Sequence, residues 1–397
     1  MWFSFTRLDQ AWFFLLSWMS EGKRSLCFLK ILLNKLYIYL ILVTGMRMSE
    51  LRYLGAYTVP LSAAVGLLVG GPWAWLTPLY VFGLIPLLEL RQPAGVPGSQ
   101  AEAASGRKHL FYNWLLYLNV PLQYALLLLF LHTMISQAPG WLEAAGYVGS
   151  FGICCGALGI NVAHELGHRP RSYEQLLARA LLLSTLYMHF FIEHNRGHHR
   201  HVATPLDPAT ARLHEPFWRF LPRAVVGEYR SAWHLEQERL ARQHLPALSW
   251  HNQMLRFQVY QGLLLLAVGL AFGLPGLAAW LGAAAVGVVL FQLVNYVEHY
   301  SLLRGRAASG AYERVQPHHS WNSEHTLGRI LLYELTRHSD HHFQASRPYQ
   351  LLRFQPRSPQ MPTGYPGMML LAAVPPLWFR VMNPKVPAAP TTAPETT

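Results

Sequence analysis

The chemistry in this chain is concentrated in its histidines. There are 20, and eighteen follow position 163. Four stretches gather nine of them. The first is His164-Glu165-Leu166-Gly167-His168. The second is Glu193-His194-Asn195-Arg196-Gly197-His198-His199. The third is Asn295-Tyr296-Val297-Glu298-His299-Tyr300, with one histidine, and the fourth is His338-Ser339-Asp340-His341-His342. A spacing of four residues puts His164 and His168 on one helix face, one turn apart, and likewise His194 and His198. On the same spacing His199 points elsewhere. Nine imidazoles exceed the four ligands of a tetrahedral ion and suit two metals with vacant positions. Neutral nitrogen donors without thiolate suit Fe, Zn, Cu or Ni, and spacing does not choose among them.

Each stretch has a plainer reading. A lone His299 at a helix end is ordinarily a dipole or interface residue. His164 to His168 matches H-E-x-x-H, the zinc-peptidase helix, in which Glu165 would be the general base. A peptidase leaves seven histidines unexplained. A metal transporter would need ionisable residues within its membrane spans, and these spans carry almost none. Clusters recurring on one side of a membrane argue instead for a two-metal centre.

The elements that must position these groups are apolar. Charged residues make up 13% of the 397 and apolar residues 52%, against about 25% charged in soluble proteins; mean hydropathy is +0.17. So few charges cannot clothe a soluble globule of this size. Six stretches reach the length of a spanning helix: about 53–70, 72–90, 112–135, 141–163, 257–274 and 277–297. Turns at Gly70-Gly71-Pro72, at Ser136 to Gly140 and at Gly273 to Gly276 join them in pairs. Polar residues in the third and sixth (Asn119, Gln123, Gln292, Asn295) should face neighbouring helices or a cavity. Gly66, Ala63 and Gly83 could leave room for an apolar chain, but small residues in membrane helices more often mark close helix contacts.

The three turns contain no Lys or Arg, whereas twelve basic residues lie in 164–256 and ten in 298–397. Positive charge marks the cytoplasmic side, so the turns are expected outside and both termini inside. This accounts for the net charge of +12 without nucleic acid. The expected fold is all-α and integral to the membrane, with six transmembrane helices and a cytoplasmic, helical, His-rich region housing a di-metal site. Its segments are an N-terminal extension of uncertain status (1–48), helices one to four (49–163), a cytoplasmic segment with the first two clusters (164–256), helices five and six (257–297), a cytoplasmic C-terminal segment (298–386) and a disordered Pro/Ala/Thr tail (387–397). Met46 or Met48 is a candidate start. The cysteines, Cys27, Cys154 and Cys155, form no C-x-x-C pair. A site at a bilayer surface fed by membrane helices points to an apolar substrate. Attack on an unactivated C–H bond needs redox chemistry, which zinc does not supply.

The motifs resemble the alkane 1-monooxygenase family of membrane non-haem di-iron hydroxylases. The similarity runs through HELGHR (164–169), EHNRGHHRHVATPLDPATAR (193–212), NYVEHYSLLR (295–304), QPHHSWNSEH (316–325), LTRHSDHH (335–342) and GYPGMMLLAAVPPLWFRVMNPK (364–385). It covers roughly residues 50–385. Departures are Phe343-Gln344-Ala345 where the family has Ala-His-Pro, Arg169 for Lys, and Ser301 for Gly. None removes a ligand.

The resemblance implies nine iron ligands: His164, His168, His194, His198, His199, His299, His338, His341 and His342. It implies outer carboxylates Glu165, Glu193, Asp207, Glu298 and Asp340 that orient ligand imidazoles. Asp207 also reads as a turn residue between Pro205 and Pro208. His318, His319 and His325 are expected near the site without binding metal. The implied activity is hydroxylation of the terminal carbon of an n-alkane by O2 to a primary alcohol, with the second oxygen leaving as water. The implied cofactor is two Fe ions. The chain carries no flavin or NAD fingerprint, and no haem is implied. Electrons are then expected from rubredoxin, itself reduced by an NAD(P)H-dependent reductase. The implied location is a bacterial inner membrane. The close alternative is a di-iron oxygenase acting on an aromatic methyl group or a fatty acyl chain.

Overall fold

A computed structural model of the chain describes residues 48–91, 106–306 and 309–387. The expectations for residues 1–47 and for the tail from 388 lie outside these. By its contacts the chain divides into two units, Met1–Tyr53 and Leu54–Thr397. The described part of the first begins with one helical turn, Met48–Leu51.

The second unit is helical. Among the described residues there is no strand, only two isolated bridges, Arg306 with Tyr312 and Asn322 with Gln360. Five helices among the described residues are long and apolar enough to cross a membrane: α1 (Arg52–Val69), α2 (Gly71–Arg91), α3 (Leu110–Ser136), α4 (Trp141–Gly167) and α8 (Gln253–Glu298). Between the last two lie α5 (Ser172–Ser184), α6 (residues 190–201) and α7 (Phe217–Arg242). After α8 come α9 (Thr326–Leu331), α10 (His338–Phe343), α11 (Tyr365–Ala372) and α12 (Pro375–Met382).

The 46 residues of α8 form two arms. Gly273 interrupts them at φ 67°, a left-handed conformation that glycine adopts without strain, and Pro275 follows. The stretches 257–274 and 277–297 fall on the two arms.

Small residues set how closely α4 and α8 approach. A Cβ on Gly287 would lie 2.6 Å from Cβ of Cys155, and one on Gly152 would lie 2.5 Å from Val286. In membranes such close contact supplies packing that lipid does not. Gly66 behaves likewise against the Trp73 carbonyl, at 2.7 Å, whereas Gly83 faces open space. Ala63 is fully buried in the core. Phe130 of α3 stacks on Phe151 of α4 at 5.0 Å.

The polar residues within the spans find protein partners. Gln292 donates to Tyr187 and Glu228, Asn119 donates to the Leu115 carbonyl and to Tyr333, and Gln123 donates to Cys155 Sγ.

Among the described residues three segments depart from α-helical winding into single π turns: Tyr80–Leu84 in α2, Cys155–Ile160 in α4 and His194–His198 in α6. Such turns cluster at functional sites because they re-aim side chains. The third contains two of the nine histidines.

Candidate metal centre

The nine imidazoles come from four places: the end of α4 with His168 one residue beyond it, α6, His299 one residue beyond α8, and both faces of α10. They form two groups. His164, His168, His194, His199 and His341 make one; His198, His299, His338 and His342 make the other. Within each group the potential ligand atoms lie within 4.8 Å of one another.

The division follows from local winding. His199 N bonds to the His194 carbonyl, an i to i+5 bond that closes the π turn. One π turn brings His199 beneath His194, and their Nε2 atoms are 3.1 Å apart. The α-helical expectation that His199 points elsewhere is therefore corrected. His198, four residues after His194, turns instead to the second group. In α10, His338 and His342 are one α turn apart with Nε2 atoms at 2.8 Å. His341 between them faces the first group, 2.9 Å from His164 Nε2 and 3.1 Å from His199 Nε2.

These distances fit metal coordination. Two nitrogens about 2.1 Å from one ion and at right angles are about 3.0 Å apart. The closest Nε2 pairs run from 2.8 to 3.2 Å. Hydrogen bonds alone cannot satisfy such a set. In the sequence 168–194–199–341–164, alternate rings would donate, so either His199 alone or both His194 and His341 would have to share one proton between two neighbours. A shared cation meets every lone pair at once.

The rings are held in the ligand form. Burial, aided by His198, lowers His168 to about 3. Burial, then neighbouring imidazoles, holds His194, His199, His338, His341 and His342 well below the usual histidine range. His299 is lowered in the same way. A charged imidazole has no lone pair for a metal; these stay neutral.

The five carboxylates take different positions. Asp207 accepts from His198 Nδ1 at 3.1 Å, the nitrogen away from the group, and thereby fixes that ring. It also accepts from Ala209 N and from Thr210 Oγ1, so the turn reading holds as well. Burial raises the Asp207 carboxyl, but His198 and Thr210 outweigh it and hold it below the ordinary range. Glu298 approaches the other side: its Oε2 lies 3.2 Å from His338 Nε2, and its Oε1 accepts from Tyr365. Glu165 pairs with Arg169 and accepts from Tyr349 N, leaving it tied rather than free as a peptidase base. Asp340 accepts from Arg347, Arg353 N and Gln355. Glu193 accepts from Ser231; burial beside Glu228 and Asp207 raises it well above the carboxylate range.

His318, His319 and His325 belong to neither group, though the His319 backbone lies against the His299 ring. His318 and His319 gather with Glu313. His319 Nδ1 accepts from Gln316 N, so its Nε2 carries the proton and meets Glu313 at 3.2 Å; neither nitrogen has a lone pair left for a metal. His325 Nδ1 pairs with Ser323 Oγ.

The sequence reading missed a buried ion cluster. Arg329 and Arg337 share Glu324 and Glu334, all at most 5% exposed. Arg337 directly precedes His338, so the cluster fixes the start of α10. Arg and Glu at nearby positions are too common in surface helices to signal this.

An apolar cavity touches both groups. His164, His194 and His338 contribute to its wall, with Glu298 beside them. The rest comes chiefly from Val81 and Phe82 of α2, Ile153 and Ala157 of α4, Phe291 and Val294 of α8, Leu331, Leu335 and Met369. Such a space accepts an apolar molecule with one end at the imidazoles.

Residues 139–371 match the fatty acid desaturase family. The chain is 42% identical to alkane 1-monooxygenase 2 of Pseudomonas aeruginosa over 80% of its length and 85% of that relative. It is 39% identical to the alkane 1-monooxygenase of Ectopseudomonas oleovorans, over 82% and 83% respectively. It is 28% identical to the xylene/toluene monooxygenase hydroxylase component XylM of Pseudomonas putida, over 85% and 89%. The histidine groups, the apolar cavity beside them and the extent of these similarities lead to one family assignment: the chain belongs to the alkane 1-monooxygenase family.

Proposed function

We propose that the protein hydroxylates the terminal carbon of n-alkanes, using O2, at two irons held by the nine histidines. The convergence of His164, His194 and His338 on one apolar cavity carries this reading. His164, His168, His194, His199 and His341 would hold one iron, and His198, His299, His338 and His342 the other. The irons supply the redox chemistry that splits O2 and oxidises an unactivated C–H bond. The overall balance is RH + O2 + 2e⁻ + 2H⁺ → ROH + H2O.

The chain's own residues do the rest. Leu331, Leu335, Phe291 and Met369 exclude water from the reacting end. The cavity orients the chain so that only its terminus meets the imidazoles. Asp207 holds the His198 ring. Glu298, on the cavity wall, is placed to accept or return a proton.

In this reading α8 supplies two spans, making six, with both termini and both histidine groups on the cytoplasmic side of an inner membrane. Electrons arrive from rubredoxin reduced by its NAD(P)H-dependent partner.

The test is expression with rubredoxin and reductase, with alcohols quantified after feeding alkanes of graded length, and iron measured in the purified protein. Primary alcohols and about two irons per chain are expected. Zinc in place of iron, or no alcohol from any alkane, would overturn the reading. The similarity to XylM supports a second substrate class, methyl groups on aromatic rings. Xylene in the same assay separates the two: hydroxylation of xylene without alkane products favours the second.

A further inference from the structure

The 26 residues of α7 span about 39 Å and carry two different faces. Phe217, Phe220, Ala224, Glu228, Ala232, Glu236 and Leu240 are buried. On the other side Trp218, Pro222, Val226 and Tyr229 are exposed, Trp218 by 55% and Val226 by 46%. Spacings of four, four and three place them on one stripe. An uncovered apolar stripe of this length needs a partner.

The buried face shows how α7 lies. Glu236 accepts from Gln253 N, at the first turn of α8. Glu228 accepts from Gln292, and Phe220 packs on Tyr296 at 5.3 Å, near the last turns of α8. One helix thus touches both ends of the broken α8. It runs across the arms at that end of the bundle instead of alongside them.

The stripe continues onto the C-terminal helices. Trp218 Nε1 donates to the Ala373 carbonyl at 3.0 Å. Leu370, Val374 and Leu377 nearby in the chain are exposed by 45%, 45% and 50%. In α11, Met369 and Pro366 line the cavity with Val81 of α2 and Val294 of α8, while the adjacent Leu370 faces outward. The helix that carries the exposed Leu370 thus packs directly on the membrane-spanning α2 and α8. The exposed charges of residues 217–233 and 365–385 are Arg219, Arg230, Arg380 and Lys385. Residues 217–233 contain one acid, the buried Glu228, and residues 365–385 contain none.

We propose that residues 217–233 of α7 and residues 370–377 form an in-plane membrane seat. The apolar stripe enters the acyl region of the leaflet at that end of the bundle, and the arginines meet lipid phosphates. Apolar area flanked by cationic side chains, without carboxylates, is what an anionic lipid surface recognises. The seat would hold the cavity-lining α11 at the level of the lipid tails. The proposal rests on the reading of α8 as membrane-spanning, and the test separates the two.

Nitroxide labels are placed on the full-length protein at Val226→Cys, Tyr229→Cys and Leu377→Cys, in a Cys27→Ser background; Cys154 and Cys155 are buried. The protein is reconstituted in phosphatidylcholine nanodiscs, with and without phosphatidylglycerol. Relaxation by O2 is compared with relaxation by a water-soluble nickel chelate. Leu266→Cys, exposed on α8, reports on the span itself, and Ala311→Cys, in an exposed loop, reports on water. Labels at 226, 229 and 377 are expected to favour O2 several-fold, as at 266, and to sit deeper with phosphatidylglycerol. Replacing Arg219, Arg230 and Arg380 by Gln should remove that added depth. Nickel accessibility equal to that at 311, with 266 still in lipid, would overturn the seat while sparing the spanning reading. Labels that lose nickel accessibility only on adding a soluble electron-donor protein would overturn it in favour of a protein dock. A water-exposed label at 266 would sink the spanning reading itself.

Discussion

At the residue scale, the histidines do two kinds of work, and their surroundings tell them apart. A ligand needs a free nitrogen aimed inward and a fixed ring. Asp207 provides the second condition for His198, through a 3.1 Å contact to Nδ1. Asp207→Ala should therefore lower iron affinity and alkane turnover about 10- to 100-fold, the usual cost of losing a partner that orients a metal-bound histidine. Iron content and turnover measured together check this; an unchanged protein would reduce Asp207 to a turn residue. His189 belongs to neither group. Burial lowers it to about 4, and its Nε2 is buried without a hydrogen bond. The unfolded chain binds this proton below about pH 6.5 and the folded chain does not, so folding weakens as pH falls from about 6.5 toward 4, by up to about 3 kcal/mol. His189→Phe should shrink the drop in Tm between pH 7 and pH 5. An identical drop in wild type and variant would mean that the ring is hydrated and titrates normally.

At the element scale, what the sequence discloses depends on how far a feature reaches. The nine histidines are legible because few residue types bind metal and their clustering is improbable otherwise. The helical fold and the apolar stretches are legible because each is a property of consecutive residues. The division of the ligands is not, since it depends on the π turn at His194–His198, which costs one residue of register and has no marker in composition. Likewise the sequence marks Glu298 as a carboxylate that orients a ligand imidazole without saying which; it meets His338, from a different element. The ion cluster of Arg329, Arg337, Glu324 and Glu334 joins residues whose proximity is fixed only by the folded loop. The π turn itself is testable. Deleting Asn195 should restore α winding, swing His199 away from His194 and strip the five-histidine group of its geometry. Iron per chain is expected to fall by about half or more, with the circular dichroism signal of the helices retained. Full iron content after the deletion would show that the π turn does not decide the ligand set.

At the scale of the whole molecule, charge and hydropathy are separated along the chain. The spans are apolar. The net charge is +12, and 22 of the 32 basic residues fall in 164–256 and 298–397, the segments that carry the histidine groups. Several of these, including Arg171, Arg212, Arg242, Arg353 and Arg357, are exposed. Exposed charges of one sign raise the encounter rate with an acidic protein, and salt screens them over about 10 Å at 0.1 M ionic strength. If rubredoxin delivers the electrons to this face, raising salt from 50 to 200 mM should increase the KM for rubredoxin several-fold, up to about ten-fold. The KM for alkane should not move, because the cavity wall that binds it is apolar. Steady-state rates at saturating alkane, with rubredoxin varied at each salt concentration, measure the first quantity; the converse titration measures the second. A KM for rubredoxin that ignores salt would assign these arginines to topology and lipid phosphate alone, and electron entry would then have to be sought on an uncharged part of the surface.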